Sequence, residues 1–407
     1  MRATVTLEYR FRVLPDKSLW TATTFAYPFW ERYLEVFDEV QIVARALPVD
    51  EPPEGWRPAT GPRVSAAVVP YYVGPFAYLR KFHEVKRAII ASFNPGDAIV
   101  LRVGSRIGSI MRHALKARRY PYGVEVVADP YDVFAPGANN HPLRPFFRWE
   151  GYRALQCACR DAAAAAYVTE RSLQRRYPGG DGTVMAGFSD LELSDDLFLT
   201  APRVVQTAPC PCKIIMVGSL NQLYKAPHIL LAALSEVCRS IDAHLTFVGG
   251  GQYQSSLQSQ AGAAGIGDMV TFLGEISSRR EIIDALDSAD IFVLPSFQEG
   301  LPRAMVEAMA RGLPCIGSSV GGIPELLAAE DLVPPGDSTA LAHLILEVAT
   351  NPERLSVMSR RNVARAQDFR EEPLRQRRQA FYWALRKRTE QFLEEQRRTG
   401  LAHAFVP

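Results

Sequence analysis

DIFVLPSFQEGLPRAMVEAMARGLPCIGSSVGGIPEL, residues 290–326, passes from strand to helix and back to strand in one unbroken run. The apolar segment Ile291-Phe292-Val293-Leu294 is too short for a helix, and Pro295-Ser296 closes it. It reads as a buried parallel strand. Gly300 and Pro302 mark a turn into a helix, with Pro302 near the first helical position, where its missing N–H costs nothing. The helix is expected to run to about Arg311 and stop at Gly312, and Pro314-Cys315-Ile316 opens the next strand. Glu299 then falls in the loop at the strand's carboxyl end, and Glu307 lies inside the helix. In open α/β sheets ligands bind at that loop, and the helix's free amides favour an anion such as phosphate.

A carboxylate beside a phosphate-favouring helix start is out of place in a site for phosphate alone. It suits a ligand that carries both phosphate and hydroxyls, because an ionised carboxylate only accepts hydrogen bonds. The plainer reading is that Glu299 caps the helix and Glu307 is merely solvated. The combined pattern, Pro295-Ser296-x-x-Glu299-Gly300-Leu301-Pro302-x4-Glu307-Ala308-Met309-Ala310-x-Gly312-Leu313-Pro314 followed by Gly321-Gly322-Ile323-Pro324-Glu325-Leu326, resembles the signature of retaining, nucleotide-sugar-dependent glycosyltransferases of family 4. These are glycosyl transferases of group 1. The resemblance implies the GT-B architecture: α/β, with two Rossmann-like doubly wound domains facing across a cleft and a C-terminal helix that crosses back to the first.

Size and composition are compatible with that expectation. The chain of 407 residues is long enough for two domains of roughly 200 residues each. Hydrophobic content of 47% with 22% charged residues is that of an ordinary globular protein. A formal net charge of +2 gives no reason to expect a nucleic-acid partner. No apolar run approaches the roughly 18–20 residues that span a bilayer, and MRATVTLEYRFRV lacks the apolar core of a signal peptide. A cytoplasmic protein is expected, with peripheral contact to the inner face of a membrane as an open alternative. Two Cys-x-Cys pairs, Cys157/Cys159 and Cys210/Cys212, are spaced too closely for the usual structural zinc site, so free thiols and no metal are expected.

Along the first half, strand-like segments at Thr4–Val13, Val40–Arg45, Val64–Val69, Ala98–Val103, Val124–Ala128, Ala165–Thr169 and Thr183–Gly187 alternate with helical periodicity. The helical stretches are Trp20–Phe37, Ala77–Phe93, Ile107–Arg118 and Tyr152–Ala163. That alternation predicts a parallel sheet covered on both faces. Residues 1–200 form the expected first domain, 201–212 a linker within the Pro-, Thr- and Ala-rich Leu197–Pro211, and 213–373 a second domain. A last helix over about 374–397 carries Phe381, Tyr382, Trp383, Leu385 and Phe392, read as domain-packing residues. In the first domain Asp129 closes a strand, where it either meets a sugar hydroxyl or forms an Asx turn. His141 sits in a loop as an acceptor contact or simply exposed. Lys116, Arg118 and Arg119 read as a solvated helix end, or alternatively as a contact to anionic lipid or a lipid-diphosphate acceptor.

The second half matches the family further. Met216-Val217-Gly218-Ser219-Leu220, with Lys225 and Ala226, follows the domain's first strand. The resemblance implies that Gly218 lets backbone approach a diphosphate and that Lys225 supplies a point charge. The family commonly has Arg where this chain has Ser219, and Arg303 is a candidate replacement. It also implies a nucleobase near Glu275 and Ile276, sugar hydroxyls on Glu299, ribose on Glu307, and a leaving diphosphate held by Lys225 and the amides of Gly300 and Leu301. No Asp-x-Asp is present, so no divalent metal or other cofactor is expected. The donor is a nucleoside-diphosphate sugar, and the acceptor is a saccharide or lipid-linked saccharide. The competing readings are a GT-B epimerase or hydrolase acting on the nucleotide sugar, and a catalytically silent sugar-nucleotide-binding subunit.

Overall fold

In the computed structural model the chain is described over residues 1–134, 142–191, 193–276 and 278–399; His141 lies outside these. It divides into two compact units, one of Met1–Pro130, Trp149–Phe188 and the chain from Arg375 onward, the other of Tyr131–Arg148 and Ser189–Leu374.

The first half of the chain runs β1 (Arg2–Val13), β2 (Leu19–Thr21), α1 (Tyr27–Leu34), β3 (Glu39–Pro48), β4 (Arg57–Pro58), β5 (Val64–Pro70), α2 (Gly74–Ala91), β6 (Ala98–Val103), α3 (Arg106–Ala117) and β7 (Tyr122–Val126). It continues through α4 (Pro130–Val133), α5 (Arg144–Arg160), β8 (Ala164–Tyr167), α6 (Ser172–Arg176) and β9 (Val184–Gly187). Seven strands form a parallel sheet in the order β5-β3-β1-β6-β7-β8-β9. Each βαβ step returns the chain parallel to itself, which is why β7 and β8 are buried along their whole length.

One sequence expectation fails here. The helix read over Trp20–Phe37 starts only at Tyr27, and its first residues are strand β2, paired antiparallel with the end of β1 through Arg12↔Trp20 and Val13↔Leu19. The cause is the turn before it. Pro15-Asp16 closes a hairpin in which Lys17 takes a left-handed φ of 68° and Asp16 Oδ1 accepts from the Ser18 amide. An Asx-type turn of this kind reverses the chain before helix can nucleate. Lys17 is thereby an exposed hairpin tip.

The second unit follows with β10 (Cys212–Val217), α7 (Pro227–Val237), β11 (Ala243–Val248), α8 (Gln254–Ala263), β12 (Val270–Phe272), α9 (Arg279–Asp287), β13 (Ile291–Leu294), α10 (Arg303–Ala310) and β14 (Cys315–Ser318). After these come α11 (Ile323–Leu326), β15 (Leu332–Val333), α12 (Ser338–Ala349) and α13 (Pro352–Ala366). Its six strands are all parallel, in the order β12-β11-β10-β13-β14-β15. The first strand of this unit is central and the order reverses beside it, which creates a crevice at the carboxyl ends of β10 and β13. All four residues of β13 are fully buried, as are Met305, Val306 and Met309 of α10. Of the stretch read as a linker, residues 198–211 have no regular element and are strapped to this unit. Leu199 donates its amide to Ala310, and the Arg203 guanidinium reaches the carbonyls of Ala289 and Arg311.

The last helix, α14 (Glu371–Arg398), leaves the second unit after Leu374 and belongs to the first from Arg375 onward. Phe381, Tyr382 and Leu385 are buried there, and Phe392 packs against the core that includes Tyr120 and Tyr122, whereas Trp383 is half exposed. Two of these side chains crowd β7 so closely that a Cβ on Gly123 would stand 2.9 Å from Leu385.

Candidate functional site

The carboxyl ends of β10, β11 and β12 are tied into one floor by backbone. Gly218 donates to Val248, Leu220 to Gly250, and Gly249 to Gly274, at 2.7–2.9 Å. Lys225 stands over this floor from the short turn that precedes α7. A Cβ at Gly218 would come within 2.5 Å of the Lys225 side chain, so the glycine is what leaves the ammonium room to lie across the β10 loop. Ser219 is exposed, and its hydroxyl accepts from the backbone and side-chain nitrogens of Asn221, which shapes the turn and adds no cation.

Glu299 reaches the same place from the end of β13. Lys225 Nζ lies 3.1 Å from Glu299 Oε1, with both side chains mostly buried. Ser296 Oγ donates to that same oxygen at 2.8 Å. The carboxylate therefore does not cap α10, whose N-cap is Pro302 with no side-chain bond. The plainer reading of Glu299 fails for that reason. Its position is fixed from behind by the loop after β14, where Gly322 donates to Gly300 and Gly321 adopts a φ of 54°. A Cβ on Gly321 would sit 1.8 Å from the Glu299 carbonyl oxygen, so this close approach demands glycine.

Gly300 and Leu301 precede α10 and are partly accessible, as a group meeting an anion at that helix start must be. Glu307, one turn along α10, receives Arg303 Nε at 2.8 Å. Arg303, the candidate replacement for the cation lacking at position 219, is thus engaged by Glu307. Their i, i+4 spacing was the signal that could have revealed this pair. Glu275 and Ile276 follow β12 beside the backbone of Gly250.

Sequence reasoning missed His228 and Phe297. The two rings pack at 5.9 Å, and the Phe297 amide donates to Tyr224, next to Lys225. Burial lowers the His228 pKa below its ordinary value, and its Nδ1 is buried without a hydrogen-bond partner. The ring therefore favours the neutral form.

Asp129 belongs to the first unit, beyond β7. Its carboxylate is held by Arg176 and by the Tyr177 hydroxyl. Asp129 thus sits in a side-chain network, in which any sugar hydroxyl would share an already compensated charge. Lys116 pairs with Asp161 at 2.9 Å and Arg119 ends α3 at a left-handed φ of 52°, so this basic cluster is a helix terminus. Cys159 and Cys212 are buried, which pushes their thiols up to about 12, and Cys210 is exposed. Among the described residues no three His, Cys, Asp or Glu stand where they could hold a metal ion.

Two parallel sheets with this strand order, and a lysine–glutamate pair at the switch point of the second, define a class. Residues 204–365 match the model of the family described as glycosyl transferases group 1, and the chain is a glycosyltransferase of the GT-B fold. It is 27% identical over 336 residues to protein CapJ of Staphylococcus aureus, covering 82% of this chain and 83% of that one. Over 361 residues it is also 27% identical to a D-inositol 3-phosphate glycosyltransferase of Segniliparus rotundus, covering 81% and 77%. A shorter match, 32% over 157 residues, links 36% of this chain to 38% of the putative colanic acid biosynthesis glycosyltransferase WcaL of Escherichia coli. Among solved structures, HepE of Anabaena in complex with UDP and glucose superposes with a TM-score of 0.60 over 97% of this chain and 100% of its own, at 16% identity.

Proposed function

We propose that the protein is a retaining glycosyltransferase of family 4 that moves a sugar from a nucleoside-diphosphate sugar to a saccharide or lipid-linked saccharide, without a metal ion. The observation that carries this reading is the 3.1 Å pair of Lys225 and Glu299 at the switch point of the second sheet. Support comes from relatives named for colanic acid and amylovoran biosynthesis and from a neighbour solved with UDP-glucose.

The diphosphate takes the place of Glu299 as the partner of Lys225, and Glu299 turns to accept from sugar hydroxyls. The amides of Gly300 and Leu301 at the start of α10 bind the leaving phosphate, and Glu307 meets the ribose. In the reaction the bond from the anomeric carbon to phosphate oxygen breaks as the bond to the acceptor oxygen forms on the same face. The acceptor's proton passes to the departing phosphate. Lys225 and the amides stabilise the charge that develops there, the interaction that contributes most in such sites.

Glu299→Ala tests this reading directly. With UDP-, GDP- and ADP-sugars and mixed oligosaccharide acceptors, the variant is expected to lose about 100-fold or more in turnover while its circular dichroism still reports a folded protein. Turnover within a few-fold of wild type contradicts the role of Glu299. Stoichiometric consumption of donor without acceptor contradicts transfer.

A further inference from the structure

Helix α2 presents two opposed faces. Its residues Tyr78, Val85 and Ile89 recur at helical spacing toward β5 and α3, and Val85 and Ile89 are fully buried. Half a turn away, Phe76, Arg80, His83 and Arg87 fall on one line, with Leu79 and Lys86 beside it, and all six are exposed. Phe76 is 82% exposed, Leu79 66%, and Val73 at the helix N-cap 54%. All three protrude at the helix's N-terminal end, on a Val-Gly-Pro-Phe corner. Four Lys or Arg lie on the helix, Arg80, Lys81, Lys86 and Arg87, against a single acid, Glu84. Lys81 reaches the Tyr71 carbonyl from the flank of this face, and no ion pair is recorded for the other three among the described residues.

Solvated helices do not gain from exposing Phe and Leu side by side, whereas a basic helix with apolar side chains outward is the pattern that lies in a lipid interface. We propose that this outward face of α2 docks the protein on an anionic lipid surface, with Val73, Phe76 and Leu79 entering the acyl boundary and Arg80, Lys86 and Arg87 meeting the lipid phosphates. The charge complements an anionic bilayer. The apolar side chains stand 54–82% exposed at one end of the helix, with the cations following along the same face, which favours a lipid surface over a folded acidic partner. By contrast, Lys116 is paired with Asp161 within the protein. This inference stands on the α2 face and not on the donor reading, and its readout is vesicle binding, so either can fail alone.

The test is flotation of the full chain with vesicles of phosphatidylcholine alone and of equal parts phosphatidylcholine and phosphatidylglycerol. Wild type is expected to float with the anionic vesicles only, and to be released at about 1 M salt, where the screening length falls to about 3 Å. Arg80→Glu/Arg87→Glu is expected to weaken binding about 25-fold or more, on the order of fivefold per cation. Phe76→Ser/Leu79→Ser is expected to weaken it about tenfold or more. Both double variants change only exposed side chains, and their melting temperatures report folding. No flotation of wild type, equal flotation with both vesicle types, or folded variants that float like wild type would each overturn the proposal.

Discussion

Glu299 joins two interactions that a sequence shows only separately. The spacing between Glu299 and Glu307 and the position of Lys225 after the first strand of the second unit were both legible, because motif residues at strand ends have fixed places in a doubly wound sheet. That Lys225 and Glu299 meet at 3.1 Å was not, since they come from loops 74 residues apart. Conservative replacement separates charge from shape at this pair. Glu299→Gln keeps the volume, removes the acceptor charge, and is expected to reduce turnover by about two orders of magnitude, measured as nucleoside diphosphate released. The thiols give an independent check on burial. Maleimide labelling of the native protein is expected to mark Cys210 rapidly and to spare Cys159, Cys212 and Cys315, which are buried and whose pKa values burial raises. Rapid native labelling of Cys212, read by peptide mass, would contradict the burial of β10.

At the scale of elements, most strands were readable because parallel strands in this fold are short apolar runs between turn signals. The hairpin of β1 and β2 was not, because apolar periodicity across Trp20–Phe37 imitates a helix while the Pro15-Asp16 turn alone dictates the reversal. The loop after β14 is the element that holds Glu299 from behind. Gly321→Ala places a side chain where the Glu299 carbonyl stands and forces a left-handed backbone on alanine, at a cost of roughly 1–3 kcal/mol. Loss of turnover with the protein still folded is the expected result, and wild-type turnover would remove this loop from the account. Helix α7 brings pH into the same region. Because burial depresses the His228 pKa, the folded state binds fewer protons than the unfolded state below pH about 6.5. Stability from this residue is complete above that pH and falls as pH drops through the lowered value. His228→Phe is expected to flatten the acid limb of melting temperature against pH, and an unaltered limb would show that His228 does not cause it.

At the scale of the molecule, the second half announces its role in its motifs, whereas the first half specifies a sheet without a site. Recognition of an acceptor depends on loop shape, which has no fixed spacing. The returning helix α14 was legible as an amphipathic aromatic segment, but its polar anchor was not. Tyr382 and Tyr33 both donate to Glu125 at 2.9–3.1 Å, and the Arg102 guanidinium pairs with the same buried carboxylate on β7. Glu125→Ala removes the buried carboxylate that pairs with the Arg102 guanidinium, and urea unfolding is expected to show a loss of about 3–5 kcal/mol. Tyr382→Phe removes one hydrogen bond and is expected to cost about 1 kcal/mol. Donor binding as proposed requires that Lys225, freed from Glu299, hold the diphosphate. Calorimetric titration of UDP, GDP and ADP into wild type and Lys225→Ala tests it most directly. At least one of these nucleotides is expected to bind wild type, with a loss of about tenfold or more in the variant, since a charge-assisted bond contributes roughly 1.5–3 kcal/mol. Equal affinity in the two proteins would contradict it.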